Sequence, residues 1–351
     1  MADNHPAATS GSLITLDAGS RVEYPQFFRV MRYNCPVKRL ILFLSLAILA
    51  SAADSGFNGR WDITVPRDTR ARAWWLEITG AGTPNIKGKF VGAPGGQLDD
   101  IPQISIHNGE LEFVFNRRYS GGRNAPEQKG VYRARLVNGK LVGQFEIEGD
   151  AASKLSWTGV RAPEITEKDD GSWKPGKPIE LFDGKDLAGW HSRIPGHAIG
   201  WSVKNGLLSN GEKVPDLVSD QKFWNFALHV EYRIGAHSNS GIGLRGRYEI
   251  QIFDDYGKPP SVHGNGALYS RIPPSTNASR PPGQWQSFDI RLVGRQLSVV
   301  LNDIKVIDKR EVEGLTAIAN NAAEAQPGPI ILQGDHGPIE FRKIVVTPLT
   351  H

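Results

Sequence analysis

Residues 239–255 read Asn-Ser-Gly-Ile-Gly-Leu-Arg-Gly-Arg-Tyr-Glu-Ile-Gln-Ile-Phe-Asp-Asp and predict two neighbouring β-strands. Side chains alternate between the two faces of a strand, so the second strand has one apolar face. The side chains on that face are Tyr248, Ile250 and Ile252. Glu249 and Gln251 fall on the opposite face, and Arg245 of the first strand is expected to join them. The pattern therefore predicts a polar sheet face with a carboxylate, an amide and a guanidinium, where we expect the function to reside.

The whole chain has the composition of an all-β protein. Its 351 residues leave room for two domains of ordinary size. Glycine (39 residues) and proline (23 residues) are plentiful and the hydrophobic runs are short, which favours strands joined by turns over helices. Cys35 is the single cysteine, so no disulfide framework can form.

The charge balance does not favour a polyanionic partner. The formal net charge is +4, and residues 1–52 hold five Lys and Arg against three Asp and Glu, which leaves 36 against 34 in the remainder. Such a small excess gives no reason to expect binding to nucleic acid or to a membrane surface.

The order of features in residues 1–52 predicts a secretory signal peptide. Met31-Arg32 and Lys38-Arg39 supply positive charge, residues 40–50 are apolar, and Ala50-Ser51-Ala52 offers small residues for cleavage. The apolar run is too short to span a bilayer comfortably, so no stable membrane anchor is expected. We predict cleavage after Ala52 and export to the periplasm or the cell exterior. Either Met31 is the true start, or residues 1–30 form an unusually long leading region.

Residues 54–161 predict a small antiparallel β-barrel. Eight short strands alternate with turns such as Asn108-Gly109 and Asn138-Gly139, and Asn-Gly between alternating runs favours a hairpin. Gly59-Arg60-Trp61, ahead of this up-and-down pattern, resembles the opening of lipocalin-type barrels. Three tryptophans of this region either fill the core or stack on sugar rings. They are Trp61, Trp74 and Trp75. We assign this domain an accessory role without catalysis.

A charged, Pro- and Gly-containing linker at residues 162–177 leads into a second predicted domain, residues 178–350. Its strand patterns predict an antiparallel sandwich of about a dozen strands. Four strand segments each carry charged or amide groups on one face. They are residues 229–233, 243–245, 249–253 and 289–291. The pattern favours either one polar trough formed by these four strands or an ordinary solvated sheet face with cross-strand ion pairs.

Several motifs of the second domain occur together and in order. They are Leu181-Phe-Asp-Gly-Lys-Asp-Leu-Ala-Gly-Trp190, Asn239-Ser-Gly-Ile, Tyr248-Glu-Ile-Gln-Ile-Phe-Asp, Gly266-Ala-Leu-Tyr269, Gly283-Gln-Trp285 and Ile331-Leu-Gln-Gly-Asp-His336-Gly. In this order they resemble the 3-keto-disaccharide hydrolase domain family of secreted bacterial proteins, over about residues 177–350. The resemblance implies a concanavalin/laminin-G-like jelly-roll β-sandwich and hydrolysis of glycosides whose sugar carries a ketone at C3.

That substrate class implies a particular chemistry. A ketone at C3 acidifies the hydrogen at C2, so a base can form an enolate that expels the C1 substituent before water adds back. Glu249 is the first candidate for the base or for a metal ligand, and Glu231 is the second. His336, which follows Gln333 at a strand end, is the candidate acid.

Further polar and aromatic side chains are candidates for holding the sugar. They are Arg245, Gln251, Asp254, Tyr269, Trp285, Gln333 and His263. No cofactor is assigned, although two histidines and one or two carboxylates could bind a divalent metal that polarises the ketone. A carbohydrate is the expected partner, and the sequence assigns no protein partner.

Two other functions are compatible with the same fold. Retaining glucanases on this scaffold resemble Glu-x-Asp-x-x-Glu, and Glu249-Ile-Gln251-Ile-Phe-Asp254 keeps this spacing but changes two of its three residues. The jelly roll also serves as a non-catalytic lectin scaffold. An assay on both sugars separates the three hypotheses. Hydrolysis of a keto sugar indicates the first, hydrolysis of the parent sugar indicates the glucanase, and binding without turnover indicates the lectin.

Overall fold

The computed structural model of the protein describes residues 54–66, 72–92, 96–119, 124–211 and 213–351, which lie in one compact unit. The predicted signal peptide, the start at Met31 and the lone Cys35 lie outside the described residues. Within the described ranges, no helix has the length and apolar character needed to cross a membrane.

The predicted all-β class is confirmed, and its first part is a curled antiparallel sheet preceded by a short 3₁₀ turn at Ser55–Phe57. In the described residues this sheet has nine strands, β1 (Gly59–Thr64), β2 (Trp74–Thr79), β3 (Lys87–Val91), β4 (Leu98–Asp100), β5 (Gln103–His107), β6 (Glu110–Arg117), β7 (Gln128–Val137), β8 (Lys140–Ile147) and β9 (Asp150–Arg161). The strand order is β4-β3-β2-β1-β9-β8-β7-β6-β5. Because β1 pairs with β9, the sheet closes into a barrel that is open only between β4 and β5.

Aromatic side chains fill the barrel. Trp61 and Trp74 are buried in its core, where the rings of Phe113 and Tyr132 stack with centroids 4.6 Å apart. Trp75 points to the other face of β2 and is buried in the core of the second domain. All three tryptophans of interest are at most 3% exposed, so none of them offers a ring face to a sugar.

The predicted linker lies against the second domain. Asp169 forms an ion pair with Arg291 at 2.9 Å, and Glu167 accepts a hydrogen bond from the indole of Trp224, also at 2.9 Å. A short strand follows at Lys174–Pro175 and pairs with the last strand of the chain. These contacts give the connection between barrel and sandwich a fixed course over the sandwich surface.

The second part is a β-sandwich of two antiparallel sheets. The described residues place fourteen strands here, β10 (Lys174–Pro175), β11 (Ile179–Phe182), β12 (Trp190–Ser192), β13 (Trp201–Lys204), β14 (Leu207–Asn210), β15 (Leu217–Phe223), β16 (Phe226–Ile234), β17 (Asn239–Leu244), β18 (Tyr248–Phe253), β19 (Gln286–Val293), β20 (Gln296–Leu301), β21 (Ile304–Glu311), β22 (Gly328–Leu332) and β23 (Ile339–Thr350). The larger sheet follows β13-β14-β23-β16-β19-β20-β21, with β10 and β11 also paired to β23, and the smaller follows β12-β15-β22-β17-β18.

The predicted trough of four polar strands is wrong. Residues 229–233 and 289–291 lie on β16 and β19 of the larger sheet, whereas residues 249–253 lie on β18 of the smaller sheet. Strand alternation fixes which side chains share a face, but it does not fix which strands become neighbours. The predicted alternation within β18 holds, because Tyr248, Ile250 and Ile252 are all buried in the core between the sheets.

Candidate active site

A polar cavity of about 200 Å³ lies on the face of β17 and β18 that is turned away from the core. Its walls come from the smaller sheet, from the loops at residues 315–320 and 333–336, and from the barrel. The lining side chains are Arg72, Asp216, Asn239, Glu249, Gln251, Tyr269, Ala317, Ile318, Gln333, Asp335 and His336. Acids, amides and two groups capable of positive charge thus meet in one cavity.

Glycines on β17 make room for the two polar side chains of β18. Gly243 pairs with Glu249 and Gly241 pairs with Gln251 across the strands. A Cβ atom at Gly241 would lie only 2.6 Å from Oε1 of Glu249, so any larger residue would displace the carboxyl group. The backbone N–H of Glu249 donates to Oγ1 of Thr316 at 2.9 Å, which fixes the overlying loop to the strand.

Burial dominates the electrostatics of Glu249. The residue is 2% exposed, and its Oε2 atom has no hydrogen-bond partner among the described residues. Loss of solvation disfavours the charged form and, with the nearby negative charge of Asp216, raises the pKa of Glu249 to about 8. A carboxyl group with such a pKa can exchange its proton near neutral pH, as a general acid or base must.

Asp216 is held in place by a buried cation. Its Oδ2 atom forms an ion pair with Nη1 of Arg193 at 2.9 Å, and both side chains are 6% exposed. Its Oδ1 atom accepts a hydrogen bond from the backbone N–H of Gly334 at 3.0 Å. Asp216 therefore fixes the start of the loop that carries Asp335 and His336.

Asp335 links two cationic groups at the cavity wall. Its carboxylate lies 3.4 Å from Nη2 of Arg72 and is hydrogen-bonded to Nδ1 of His336. The hydrogen bond to Asp335 raises the pKa of His336, since it favours the protonated imidazole. His336 thus retains its proton to higher pH than an isolated histidine and is suited to donate it.

Two amides offer hydrogen-bonding groups to a ligand. Nε2 of Gln251 donates to Oδ1 of Asn239 at 3.1 Å. In the described part of the chain, Oε1 of Gln251 and Oε1 of Gln333 are buried without a donor. Buried acceptors are normally satisfied, so these atoms are placed to receive hydroxyl groups of a bound molecule.

The structure brings five of the sequence-predicted site residues to the cavity. They are Glu249, Gln251, Tyr269, Gln333 and His336. His263 stands beside them, with its ring centroid 5.0 Å from that of Tyr269. The motifs that surround these residues are far apart in sequence, and sheet pairing unites them.

Arg245 does not join Glu249, contrary to the expectation from strand alternation. It lies beyond the end of β17 with φ at 50°, in the turn that leads to β18, where the alternation rule no longer applies. Its guanidinium is fully buried and donates to backbone oxygens of Trp224 and Gly294, the latter at 2.8 Å. These bonds tie the turn to the linker side of the sandwich.

Three further predicted residues lie away from the cavity walls. Glu231 is on β16 of the larger sheet and is hydrogen-bonded to His229 and Arg342. The ring of Trp285 lies 4.5 Å from the guanidinium of Arg342 on the same sheet. The Asp254 carboxylate accepts a hydrogen bond from the backbone N–H of His237 at 2.8 Å. Each side chain is thus engaged elsewhere, and a role for any of them in catalysis or sugar binding stays a prediction.

The described residues contain no ligand cluster that would support a metal site. Across the ranges that the structure describes, no three His, Cys, Asp or Glu side chains are grouped as a metal would require. Glu249, the carboxylate considered as a metal ligand, is not part of such a group in the described ranges.

Four polar cavity residues were not identified from the sequence as site residues. They are Arg72, Asp216, Asn239 and Asp335. Asn239 shares the strand face of Gly241, so alternation could have found it, and Asp335 is the neighbour of His336. Arg72 and Asp216 carry no local sequence pattern, because only the packing of distant segments brings them here.

A β-sandwich with a buried carboxyl group in a polar cavity defines a candidate for an acid–base enzyme. The model of the 3-keto-alpha-glucoside-1,2-lyase-like domain matches residues 177–347. This match confirms the resemblance of residues 177–347 to the 3-keto-disaccharide hydrolase domain family that was drawn from the motifs.

Individual relatives share only a modest part of their sequence with this chain. The chain is 24% identical to a 3-keto-disaccharide hydrolase of Bacteroides thetaiotaomicron, over 37% of this chain and 57% of that protein. The match thus spans less than two thirds of the relative's length. Two crystal structures of proteins from Parabacteroides distasonis are also similar to this chain. Both proteins carry the provisional name glycosyl hydrolase. One is 31% identical over 53% of this chain and 91% of that chain, with a TM-score of 0.44, and the other is 21% identical over 49% and 94%, with a TM-score of 0.43.

Proposed function

We propose that the cavity cleaves glycosides whose sugar carries a ketone at C3, by elimination followed by addition of water. A base removes the proton from C2, and the electron pair forms an enolate on the C3 oxygen. The enolate collapses, the bond from C1 to the leaving oxygen breaks, and that oxygen takes a proton from an acid. Water then adds its hydroxyl group to C1 and a proton returns to C2, so the net reaction is hydrolysis.

Glu249 and His336 fit the two proton-transfer roles. Glu249 removes the C2 proton and later returns it, because its pKa near 8 makes both directions accessible at ordinary pH. His336 donates its proton to the leaving oxygen, and the hydrogen bond to Asp335 favours the protonated imidazole. The acceptor atoms of Gln251 and Gln333 bind sugar hydroxyl groups and orient the C2–H bond toward Glu249.

The observation that carries this proposal is the buried carboxyl group of Glu249, with an unpartnered oxygen, in a polar cavity of the size of a small ligand. The family description, which names a 1,2-lyase acting on a 3-keto-glucoside, supports elimination across C1 and C2. The glucanase alternative is less favoured, because Gln251 replaces one acid of that pattern and Asp254 is bonded to the backbone of His237.

The test measures turnover of a 3-keto-glucoside and of its parent glucoside by the full chain. The keto sugar in buffer alone is the control for spontaneous breakdown. We expect release of the leaving alcohol from the keto sugar only, and loss of that release in Glu249→Gln. Hydrolysis of the parent glucoside would support the glucanase instead. Binding of either sugar without turnover would support a lectin.

We also propose that the enzyme acts outside the cytoplasm, on the basis of the charged, apolar and small-residue order that ends at Ala52. N-terminal sequencing of the protein recovered from a bacterial expression host should find a chain that begins at Ala53. Retention of residues 31–52 in the exported protein would contradict cleavage at this position.

A further inference from the structure

One wall of the cavity is contributed by the barrel. Arg72 lies two residues before the start of β2 and outside residues 177–347, which match the family model. Its side chain nevertheless lines the same cavity as Glu249, and Nη2 lies 3.4 Å from the carboxylate of Asp335. The first domain, to which the sequence assigned no chemistry, therefore reaches into the site of the second.

The backbone next to Arg72 is fixed to the cavity wall. The N–H of Ala73 donates to the carbonyl oxygen of Ala319 at 2.9 Å. Ala319 directly follows Ala317 and Ile318, which line the cavity. This bond sets the position from which the Arg72 side chain extends.

A second contact fixes the adjacent edge of the barrel. The backbone N–H of Leu98, at the start of β4, donates to Oγ of Ser270 at 2.9 Å, next to the cavity residue Tyr269. A Cβ atom at Gly96 would lie 2.6 Å from that of Ala317, so the two domains approach closely here. The barrel is thus bonded to the loop at residues 315–320 and to Ser270 beside Tyr269, which fixes the backbone from which Arg72 extends.

The guanidinium of Arg72 has capacity for a ligand. Its Nε atom is buried and has no acceptor among the described residues, while Asp335 engages only the Nη2 side. Arg72 is also the one arginine among the residues that line the described cavity. Buried N–H groups are normally satisfied, so this donor points to an acceptor that arrives with the ligand.

We propose that Arg72 is a substrate-contacting residue supplied by the barrel, and that its guanidinium hydrogen-bonds the C3 carbonyl oxygen and stabilises the negative charge that this oxygen gains in the enolate. The assignment rests on the proposed function of the cavity. Arg245, which the sequence suggested as a residue that holds the sugar, has its guanidinium occupied by backbone oxygens elsewhere. The reactive site is accordingly built from both domains.

The experiment compares Arg72→Ala with Arg60→Ala in the full chain. Arg60 is a matched control, because this barrel arginine also reaches a carboxylate of the sandwich, Glu311, at 3.6 Å but does not line the cavity. Loss of one preorganised donor to an oxyanion costs about 10²–10³ in kcat, so we expect that loss in Arg72→Ala and less than about a twofold change in Arg60→Ala. Added guanidinium ion should restore part of the rate of Arg72→Ala and leave Arg60→Ala unchanged.

The pH profile gives a readout that a merely structural role would not move. The positive charge of Arg72 lowers the pKa of Glu249, so the rising limb of kcat/KM should shift to higher pH in Arg72→Ala. If the alanine variant does not fold, as judged by its unfolding transition, Arg72→Lys serves instead. Lysine keeps the charge but not the fork of donors, and we expect it to keep the pH profile while lowering kcat.

The outcomes separate the two proposals. If Glu249→Gln loses activity but the folded Arg72 variants keep wild-type kcat and an unshifted pH profile, the role of Arg72 is overturned and the proposed function stands. If Arg72→Ala and Arg60→Ala lose activity equally without guanidinium rescue, Arg72 only docks the domains and the assignment is also overturned. If the wild-type chain does not cleave the 3-keto-glucoside, the proposed function fails and this role fails with it.

Discussion

The two sheets of the sandwich each carry a glutamate in the middle of a strand with polar neighbours two residues away. Glu249 on β18 has Gln251 as that neighbour, and Glu231 on β16 has His229. Glu249 is almost completely buried beside a cavity, and its Oε2 atom is unpartnered in the described structure. Glu231 lies on the outer face of the larger sheet, where His229 and Arg342 engage both of its oxygens.

The different environments shift the pKa values of the two carboxyl groups in opposite directions. Burial raises the pKa of Glu249 to about 8. Partial burial also acts on Glu231, but the hydrogen bonds from Arg342 and His229 outweigh it and lower its pKa. A polar position on a strand is therefore a poor guide to catalysis, and the identity of what covers that position decides whether the group transfers protons or remains a fixed charge.

The largest expected effect comes from removing each carboxylate in turn. Glu249→Gln should lower kcat/KM for the 3-keto-glucoside by about 10²–10⁴-fold, the usual contribution of a general acid or base. Glu231→Gln is the matched control and should change it by less than about twofold, since Glu231 does not line the cavity. Steady-state kinetics on both purified variants measures the difference. Equal losses of kcat/KM in the two variants would contradict the assignment of catalysis to Glu249 and not to Glu231.

A pH profile tests the same contrast without a change to Glu249. A base acts only when ionised, so the limb of kcat/KM that reports Glu249 should rise with pH toward about 8, the pKa of Glu249, while loss of the His336 proton should lower kcat/KM at higher pH. Two pH units below that value only about 1% of the base is ionised, which implies a rate roughly 100-fold below the plateau. The rising limb should be the same in Glu231→Gln. A profile that is flat between pH 6 and 8 would be incompatible with Glu249 as the base.

A smaller effect should follow from filling the space beside Glu249. In Gly241→Ala the new methyl group would meet Oε1 of Glu249 at 2.6 Å, so the carboxyl group must move. A displacement of this size should lower kcat by about tenfold or more. Gly235→Ala is the control, because its nearest atom is Oγ of Ser238 at 3.9 Å and the site is open. Full activity of Gly241→Ala would show that the position of the carboxyl group is not critical.

A third carboxyl group, Asp62 of the barrel, is buried without access to the cavity and should affect stability alone. Burial, together with the facing Glu324, raises the pKa of Asp62, so it is protonated in the folded chain. Because the unfolded residue ionises at lower pH, stability falls as pH rises from about 4 toward the folded pKa. Asp62→Asn cannot ionise and should therefore add about 1–3 kcal/mol at pH 8 and close to nothing at pH 4.

Denaturant unfolding of the wild type and of Asp62→Asn at both pH values measures this effect, with turnover as the control. The expected activity is unchanged, because Asp62 does not line the cavity. A destabilised Asp62→Asn at pH 8 would mean that Asp62 is ionised in the folded chain.

The sequence by itself determined the side-chain faces of individual strands. Alternation placed Glu249 and Gln251 opposite to the apolar face of β18, and the core confirms this arrangement. The family motifs, which are local runs of sequence, also located Gln333, His336 and Tyr269 near the same site. These properties depend on neighbours in the chain, and covalent geometry transmits them directly.

Only the tertiary structure decided which strands and domains meet. Glu231 and Glu249 have the same local pattern, yet sheet pairing separated them, and a turn with positive φ removed Arg245 from the face that alternation had assigned. Packing of the barrel brought Arg72 to the cavity from far along the chain. Burial, and with it the proton affinity of Glu249, arises from such long-range contacts, because desolvation is a property of everything that surrounds a group and not of its own segment.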